Sequence, residues 1–419
     1  MNEICCDYCG CSIKDLKKDD VPFKKGMKEN SLICYNCVNS LDEIIEEELE
    51  EELNNEEDEN INFEFDKNPL EIVKELDRFV VGQEKAKRTI ALAAYQHYKR
   101  INDKDNELDK NNVMLIGPTG SGKTLIVKQL AKLLNVPFYI ARANSITEAG
   151  YIGEDVDSII EGLLEKCNGD RKRAELGIVF IDEIDKIRKA PDSNFAKDVS
   201  GLGTQNALLT ILEDEEVVAY KRNEFKKPVK VNTKNILFIA SGAFSGINDV
   251  VNKRLNKSNN KIGILSQNIK LEEDQDLNMD EVTNEDIINF GFVPEFVGRF
   301  PIITSLNGLK VKDLIRVIKE PENSILNQYI KIFEKENVQL IVTDEAIEEI
   351  AKEAIKKKTG ARGIKSDFHK IFENALFSVC SNKNKSVACI LDKDTYLKDK
   401  IAKIEIIKKD ISKVKSARK

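Results

Sequence analysis

Residues 113–124 place a glycine-rich loop and a lysine directly after an apolar stretch, a combination suited to holding phosphate groups. The loop consists of Gly117, Pro118, Thr119, Gly120, Ser121, Gly122, Lys123 and Thr124. Its glycines let backbone N–H groups curl around phosphate oxygens, which larger side chains would block. Lys123 supplies a cation for the β- and γ-phosphates, and the Thr124 hydroxyl can ligate Mg²⁺. Because helical apolar spacing follows, we expect a nucleoside triphosphate at a positive helix N-terminus.

A pair of carboxylates, Asp182 and Glu183, ends a second apolar stretch further along the chain. Residues 177–181 are too apolar for an edge strand, so this stretch predicts a buried strand. Asp182 is suited to holding Mg²⁺ through water, and Glu183 to orienting and deprotonating an attacking water. Together with the loop, the pair predicts hydrolysis of a nucleoside triphosphate at the carboxyl ends of the strands of a parallel α/β sheet.

The cysteines are concentrated near the N-terminus, where six of the nine lie within the first 37 residues. Two C-x-x-C pairs can together supply four thiolates to one Zn²⁺. They are Cys6 with Cys9 and Cys34 with Cys37. The metal would supply the folding energy that a segment of about 40 residues lacks. Cys5 and Cys11 are spare in this interpretation, Cys5 could compete with Cys6, and a redox or disulfide pair is the alternative.

Composition indicates a globular chain of more than one domain. It has 419 residues, a formal net charge of −8 and no concentrated block of basic residues. We therefore expect no nucleic-acid partner. No apolar run approaches the roughly 18 residues of a membrane span, and the N-terminus lacks the charged and apolar regions of a signal peptide. These features favour a reducing, cytoplasmic location without a membrane partner.

The pattern along the chain predicts an ordered series of segments. Residues 42–59 carry twelve acidic residues and no basic one, which is typical of a solvated tether. Apolar strands near 136–140, 178–181 and 235–240 then alternate with helical spacing, which predicts an α/β fold with a wound parallel sheet. A polar stretch at 254–288 is typical of a surface insertion.

These boundaries predict four segments. They are a zinc-binding domain at 1–45, an acidic linker at 46–67, a large ATPase domain at 68–308, and a smaller α-rich domain with a C-terminal tail at 309–419.

The motifs and their order resemble the ClpX family of AAA+ proteins over nearly the whole chain. The resemblance rests on the cysteine pairs, the phosphate loop and three further stretches: VFIDEIDK at 179–186, GFVPEFVGR at 291–299 and TGARG at 359–363. It implies an AAA+ P-loop NTPase fold and the cofactors ATP, Mg²⁺ and Zn²⁺. It also implies a homohexameric ring that unfolds tagged proteins, threads them through a central pore with the help of adaptors, and delivers them to a ClpP-type peptidase ring.

The roles of pore residues follow from the same resemblance. In the family, a first pore loop presents an aromatic and an aliphatic residue between glycines, which here are Tyr151 and Ile152. Their apolar side chains would grip any polypeptide without directional bonds. Val199 and Ser200 correspond to the second pore loop, which would contact substrate lower in the channel.

Two arginines resemble groups that the family brings to the γ-phosphate. Arg299 corresponds to the arginine finger, which acts on the neighbouring subunit's nucleotide, and Arg362 to the sensor-2 arginine of the small domain. Val80 and Val81 correspond to the segment that cradles adenine. Ser241 is a candidate for the sensor-1 position, with a polar residue that merely ends a strand as the alternative.

Two departures from the family concern its partners. The family's peptidase-docking loop carries Ile-Gly-Phe, whereas this chain has Ile262, Gly263 and Ile264, which lose aromatic area. The family's pore-entry Arg-Lys-His is replaced at 221–223 by a basic stretch without histidine. The altered docking loop keeps a second function open, that of a stand-alone ATP-driven chaperone or remodeller without a peptidase partner.

Overall fold

The computed structural model divides the chain into two compact units, Met1–Ile61 with Val218–Lys230 and Asn62–Val217 with Val231–Lys419. Among the residues that the structure describes, every helix is too short or too polar to span a bilayer. The described residues are 6–11, 24–25, 32–34, 36–40, 63, 65–102, 109–146, 155–189, 199–213, 215–220, 228–259, 281–357, 359–381 and 387–406.

The first unit contains a short antiparallel pair of strands. Strand β1 (Lys24–Lys25) pairs with β2 (Leu32–Ile33), with Lys24 opposite Ile33. The second strand runs directly into Cys34, and the backbone N–H of Leu32 donates to the Asp7 carboxylate at 2.6 Å. This contact holds the strand beside the first cysteine pair.

Five parallel strands form the main sheet of the second unit. They are β3 (Val113–Ile116), β4 (Phe138–Arg142), β5 (Ile178–Asp182), β8 (Leu237–Gly242) and β9 (Ile302–Ser305). Their order is β4–β5–β8–β3–β9. The predicted wound parallel α/β sheet is confirmed. The strand at one edge, β9, was not predicted. A separate two-stranded sheet pairs β6 (Glu216–Tyr220) with β7 (Pro228–Asn232).

Helices connect the strands and flank the sheet. They are α1 (Pro69–Asp77), α2 (Glu84–Asn102), α3 (Lys123–Leu134), α4 (Asp157–Lys166), α5 (Arg171–Glu175), α6 (Val199–Leu212), α7 (Ile247–Asn259), α8 (Asn284–Phe290) and α9 (Pro294–Gly298). Helix α1 begins directly after a capping box, in which Asn68 and Glu71 cap each other's backbone N–H groups at 3.0 and 3.1 Å. One apolar core joins α1, α2 and α3 to strands β3, β5 and β8.

The insertion predicted at 254–288 is shorter than expected. Helix α7 continues through Asn259, and α8 already begins at Asn284. The ion pair between Arg254 and the buried Asp286, at 2.9 Å, ties the two helices together and pairs the buried carboxylate. The middle of the predicted insertion lies outside the described residues.

The C-terminal part has its own core and its own sheet. Its helices are α10 (Val311–Lys319), α11 (Ile325–Lys335), α12 (Asp344–Lys356), α13 (Gly360–Ser381) and α14 (Lys393–Asp399). Strand β11 (Val387–Leu391) lies between β10 (Val338–Val342), which is parallel to it, and β12 (Lys403–Ile406), which is antiparallel. The α-rich character agrees with the prediction, whereas this sheet was not predicted. The predicted domain boundary at 308 stays a prediction.

Candidate functional site

A cleft of about 460 Å³ opens at the carboxyl ends of the central strands, within the usual size range of ligand sites. It combines the phosphate loop, the acid pair and one of the two arginines predicted for the nucleotide. Its lining includes Thr119, Gly120, Gly122, Lys123, Thr124, Asp182, Glu183, Asp185 and Arg362. The structure therefore gathers residues that are separated by more than 200 positions in the sequence.

The loop that follows β3 depends on two glycines. Gly122 is the N-cap of helix α3 and has φ +103°, a backbone conformation that residues with a Cβ rarely adopt. A Cβ on Gly117 would meet the carbonyl oxygen of Leu306 at 2.4 Å. Any larger residue at 117 would therefore push the loop away from the segment that follows β9.

The ammonium group of Lys123 is folded onto its own loop. Its Nζ donates to the carbonyl oxygens of Gly117 at 2.6 Å and Pro118 at 3.0 Å. Burial lowers the pKa of Lys123 to about 8, with Arg362 acting in the same direction and Asp182 opposing it. A bound phosphate would favour the charged ammonium, so Lys123 is suited to binding an anion at this loop.

The acid pair is fixed by the neighbouring strand. Asp182 ends β5, and its Oδ1 accepts from the Ser241 hydroxyl of β8 at 2.6 Å. Ser241 is fully buried, because β8 lies between β5 and β3 with Ile181 opposite Ala240. Ser241 is thus more than the polar end of a strand. This pairing could not be predicted from the sequence, because it depends on the order of the strands.

Glu183 and Asp185 leave the strand in different directions. Glu183 adopts φ +59°, an unusual backbone conformation for a residue other than glycine, and its side chain is exposed at the cleft. Asp185 turns inward, where its carboxylate accepts from the backbone N–H of Ala243 at 3.1 Å. The two acids are therefore not equivalent. Glu183 is available to solvent, whereas Asp185 ties the segment after β8 to the cleft.

Arg362 reaches the cleft from the C-terminal part of the chain. It lies in the first turn of α13, and a Cβ on Gly120 would be only 3.6 Å from the backbone N of Ala361. The start of α13 therefore faces the phosphate loop directly. Arg362 thus lines the cleft beside the phosphate loop, and its contact with the nucleotide stays a prediction.

Val80 and Val81 are buried but do not line this cleft. Gln83, which ends the same predicted adenine segment, joins it to the phosphate loop. The Gln83 amide donates to the carbonyl oxygens of Ser121 at 3.2 Å and Asn307 at 2.8 Å, and accepts from the Asn307 backbone N–H at 3.0 Å. The predicted adenine segment is therefore tied to both the phosphate loop and the chain that leads into the C-terminal part.

Arg299 is not brought to the cleft. It follows the short helix α9, and its backbone carbonyl accepts from the Asn112 side chain at 3.0 Å. Asn112 precedes β3, whereas the phosphate loop follows β3. Arg299 and the phosphate loop therefore lie at opposite ends of the same strand. The Arg299 guanidinium pairs with Glu213 at 2.6 Å and remains half-exposed.

The other predicted partner sites fall largely outside the described residues. Tyr151, Ile152, the docking residues Ile262, Gly263 and Ile264, and the basic stretch at 221–223 are in this group. Val199 and Ser200 form the start of helix α6.

The thiols near the N-terminus converge into one cluster. The sulfur atoms of Cys6, Cys9, Cys11 and Cys34 all lie within 4.8 Å of one another. Cys37 is buried and packs with Cys6 and Cys34. Although burial opposes it, backbone hydrogen bonds at Cys9 and Cys34 lower the pKa of the Cys6 thiol to about 6. A cluster of thiols at these distances fits the donor set of a structural Zn²⁺.

The fifth thiol, Cys11, enters the cluster because of a tight turn. Gly10 adopts φ +75°, and its N–H donates to the Cys6 carbonyl at 2.9 Å. The Cys6 N–H in turn donates to the Cys11 carbonyl at 2.9 Å. Cys11, which the sequence analysis treated as spare, is therefore a structural neighbour of the predicted ligands.

The parallel sheet with its phosphate loop, acid pair and C-terminal arginine defines an AAA+ ATPase. Family models agree, since the AAA domain (Cdc48 subfamily) matches residues 108–303 and the C-terminal, D2-small domain of ClpB protein matches residues 309–388. The chain accordingly uses ATP and Mg²⁺.

Comparison with curated proteins gives the family. The ATP-dependent Clp protease ATP-binding subunit ClpX of Borrelia duttonii is 38% identical over 415 residues, which cover 96% of this chain and 94% of the relative. The protein of the same name from Bacteroides thetaiotaomicron is 39% identical over 417 residues, with 97% and 98% covered. The chain therefore belongs to the ClpX family of ATP-dependent Clp unfoldases.

Proposed function

We propose that the chain forms a homohexameric ring that unfolds tagged proteins, threads them through its pore and delivers them to a ClpP-type peptidase ring. The observation that carries the proposal is the separation of Arg299 from the cleft of its own chain. A group able to stabilise phosphoryl transfer stands at the far end of β3, half-exposed and paired only with Glu213 among the residues described. Arg299 can act on a nucleotide when the cleft of a second copy lies beside it.

The chemistry proposed at the cleft is supported by the positions of the described side chains. Lys123 and the loop N–H groups hold the β- and γ-phosphates, and Arg362 contacts them from α13. Mg²⁺, when bound, neutralises charge on these oxygens, with Thr124 and Asp182 as its protein partners. Glu183 accepts the proton of the attacking water. Ser241 keeps the Asp182 carboxylate in place. The adenine base is assigned to the segment that carries Val80 and Val81, which Gln83 ties to the phosphate loop.

We expect the first pore loop to bind the substrate polypeptide without taking part in ATP hydrolysis. We predict that Tyr151→Ala retains most ATP turnover and loses unfolding, because an apolar side chain between glycines acts on substrate rather than on phosphate. Parallel assays of ATP turnover and of the unfolding of a tagged protein measure the two activities. A matched fall in both would mean that Tyr151 has a structural role.

The zinc proposal is tested by two single substitutions. We propose Cys6, Cys9, Cys34 and Cys37 as ligands, because each C-x-x-C pair can direct two thiolates to one metal and a closed site takes four. Cys37→Ser in the full-length chain is expected to lose one bound zinc, whereas Cys11→Ser keeps it. Metal analysis after gel filtration distinguishes them. The reverse result would make Cys11 the fourth ligand.

Delivery to a peptidase is tested with a degradation assay. A ClpP-type peptidase ring and a tagged folded protein are mixed with the parent chain and ATP, and product peptides are measured. We expect degradation, and we expect Ile264→Ser to abolish it while ATP turnover and unfolding persist. Six copies of a weak loop contact combine by avidity, so the missing aromatic ring is tolerable. Unfolding without any degradation in the parent would favour the stand-alone remodeller.

A further inference from the structure

Helix α6 carries two adjacent polar side chains in its buried face. Thr204 is 2% exposed and Gln205 is fully buried, whereas Leu208 and Ile211 on the same helix are buried and apolar. An amide buried without partners would be costly, so the partners of Gln205 show what the residue holds together.

The Gln205 amide joins two segments that lead to different parts of the catalytic apparatus. Its Nε2 donates to the Ile187 carbonyl at 2.8 Å, at the end of the short 3₁₀ turn that follows Glu183. Its Oε1 accepts from the Val293 backbone N–H at 2.9 Å. Val293 is the N-cap of α9. One side chain therefore bridges the segment behind the acid pair and the turn that carries Arg299.

Helix α6 contacts both ends of α9. The five-residue helix α9 begins after Val293 and has Arg299 as its C-cap, so little more than one helical turn separates the two residues. Gln205 holds its beginning. Glu213, the residue directly after α6, pairs with the Arg299 guanidinium at 2.6 Å at its end. A shift of α6 would therefore be passed to Arg299 through two polar contacts.

The same helix also contacts the segments that lead to both predicted pore loops. The Thr204 hydroxyl donates to the Ile146 carbonyl at 3.3 Å, immediately before the loop with Tyr151 and Ile152. The helix itself begins at Val199, in the predicted second pore loop. Helix α6 is thus connected to substrate-facing segments at one end and to Arg299 at the other.

We propose that Gln205 is a positioning residue that orients Arg299 toward the neighbouring subunit's nucleotide. It also transmits movements of α6 to Arg299. The inference rests on the proposed ring and pore. Substrate in the pore displaces α6, and Gln205 carries the displacement through Val293 to α9. The competing explanation is that the amide only pairs backbone groups within its own subunit.

Mixed rings separate these explanations. Gln205→Leu removes the hydrogen bonds to Ile187, Gly291 and Val293 at nearly constant volume. Asn206→Leu on the exposed face of α6 is the matched control. Rings of Gln205→Leu alone are expected to retain nucleotide binding and to lose about 10- to 100-fold in ATP turnover, as a misplaced catalytic group does. The control is expected to match the parent.

The subunit that restores activity identifies where Gln205 acts. Glu183→Gln subunits lack the proposed base but keep Arg299, so mixing them with Gln205→Leu subunits is expected to raise ATP turnover. Mixing Gln205→Leu with Arg299→Ala is expected to give no gain. The opposite pattern would place the effect on the variant's own Glu183 and overturn the proposal, as would turnover equal to that of Asn206→Leu.

Two further measurements complete the test. An unstructured protein should change the ATP turnover of parent rings but not of Gln205→Leu rings, and an unchanged response would refute the transmission. If Gln205→Leu does not assemble into rings, the ATP turnover of Glu213→Gln is measured in the same mixtures instead. Failure of the proposed ring is separately visible, because Arg299→Ala mixed with Glu183→Gln would then show no gain.

Discussion

Replacing Glu183 by Gln is expected to leave ATP binding intact and to lower ATP turnover by about 10²- to 10⁴-fold, the usual contribution of a general base. The amide has nearly the same shape but cannot accept the proton of the attacking water. Glu183 is exposed at the cleft, whereas Asp182 remains paired with Ser241, so the phosphate and Mg²⁺ contacts should persist. Steady-state turnover and equilibrium binding of a fluorescent nucleotide measure the two effects.

A control for this substitution should alter charge without touching the cleft. Glu165 lies exposed on α4, so Glu165→Gln makes the same chemical change on a distant surface. Its turnover should equal that of the parent. Turnover of Glu183→Gln within a few-fold of the parent rate would refute its assignment as the base.

Replacing Arg299 by Ala is expected to reduce ATP turnover by about 10³-fold or more, the contribution typical of an arginine supplied in trans. Nucleotide affinity should change little, because Arg299 lies at the opposite end of β3 from its own phosphate loop. Arg362→Ala is the contrasting variant. It removes a cation that lines the cleft, so it should weaken nucleotide binding as well as turnover.

Mixed rings show whether Arg299 acts on a neighbour. Arg299→Ala subunits have an intact cleft, and Glu183→Gln subunits have an intact arginine. Mixing the two should therefore restore turnover that neither has alone. The absence of any gain in the mixture would indicate that Arg299 acts within its own subunit.

Local motifs were sufficient to predict the ATPase class and the elements that carry the cleft residues. The stretch from Val113 to Thr124 has a strand, a loop and a helix in sequence, so its structure depends on neighbours along the chain. Asp182 at the end of a fully apolar strand is a signal of the same kind. The α/β class followed from the alternation of such segments, and the structure confirms it.

Contacts between distant segments were not predictable in the same way. The pairing of Ser241 with Asp182 requires that β8 lie beside β5, and the pairing of Glu213 with Arg299 joins residues 86 positions apart. Strand β9 has only four residues, too few for a clear alternating pattern. Gln205 has an ordinary polar side chain whose importance appears only when its partners are known.

The N-terminal cluster shows a different limit. The C-x-x-C spacing identifies a group of candidate ligands, but five thiols compete for a site that takes four. Cys11 joins the cluster through the turn at Gly10, which a count of cysteine spacings does not reveal. Metal analysis of the Cys11→Ser and Cys37→Ser variants therefore decides which of these two cysteines is the fourth ligand.

The central claim is that the ring converts ATP hydrolysis into unfolding. The most direct measurement follows the fluorescence of a folded fluorescent protein that carries an unstructured terminal tag, with the parent chain, Mg²⁺ and ATP. The proposed function predicts that fluorescence falls with ATP and persists with a non-hydrolysable analogue or with the Glu183→Gln variant. Steady ATP turnover by the parent ring without loss of fluorescence, across N-terminal and C-terminal tags, would contradict it.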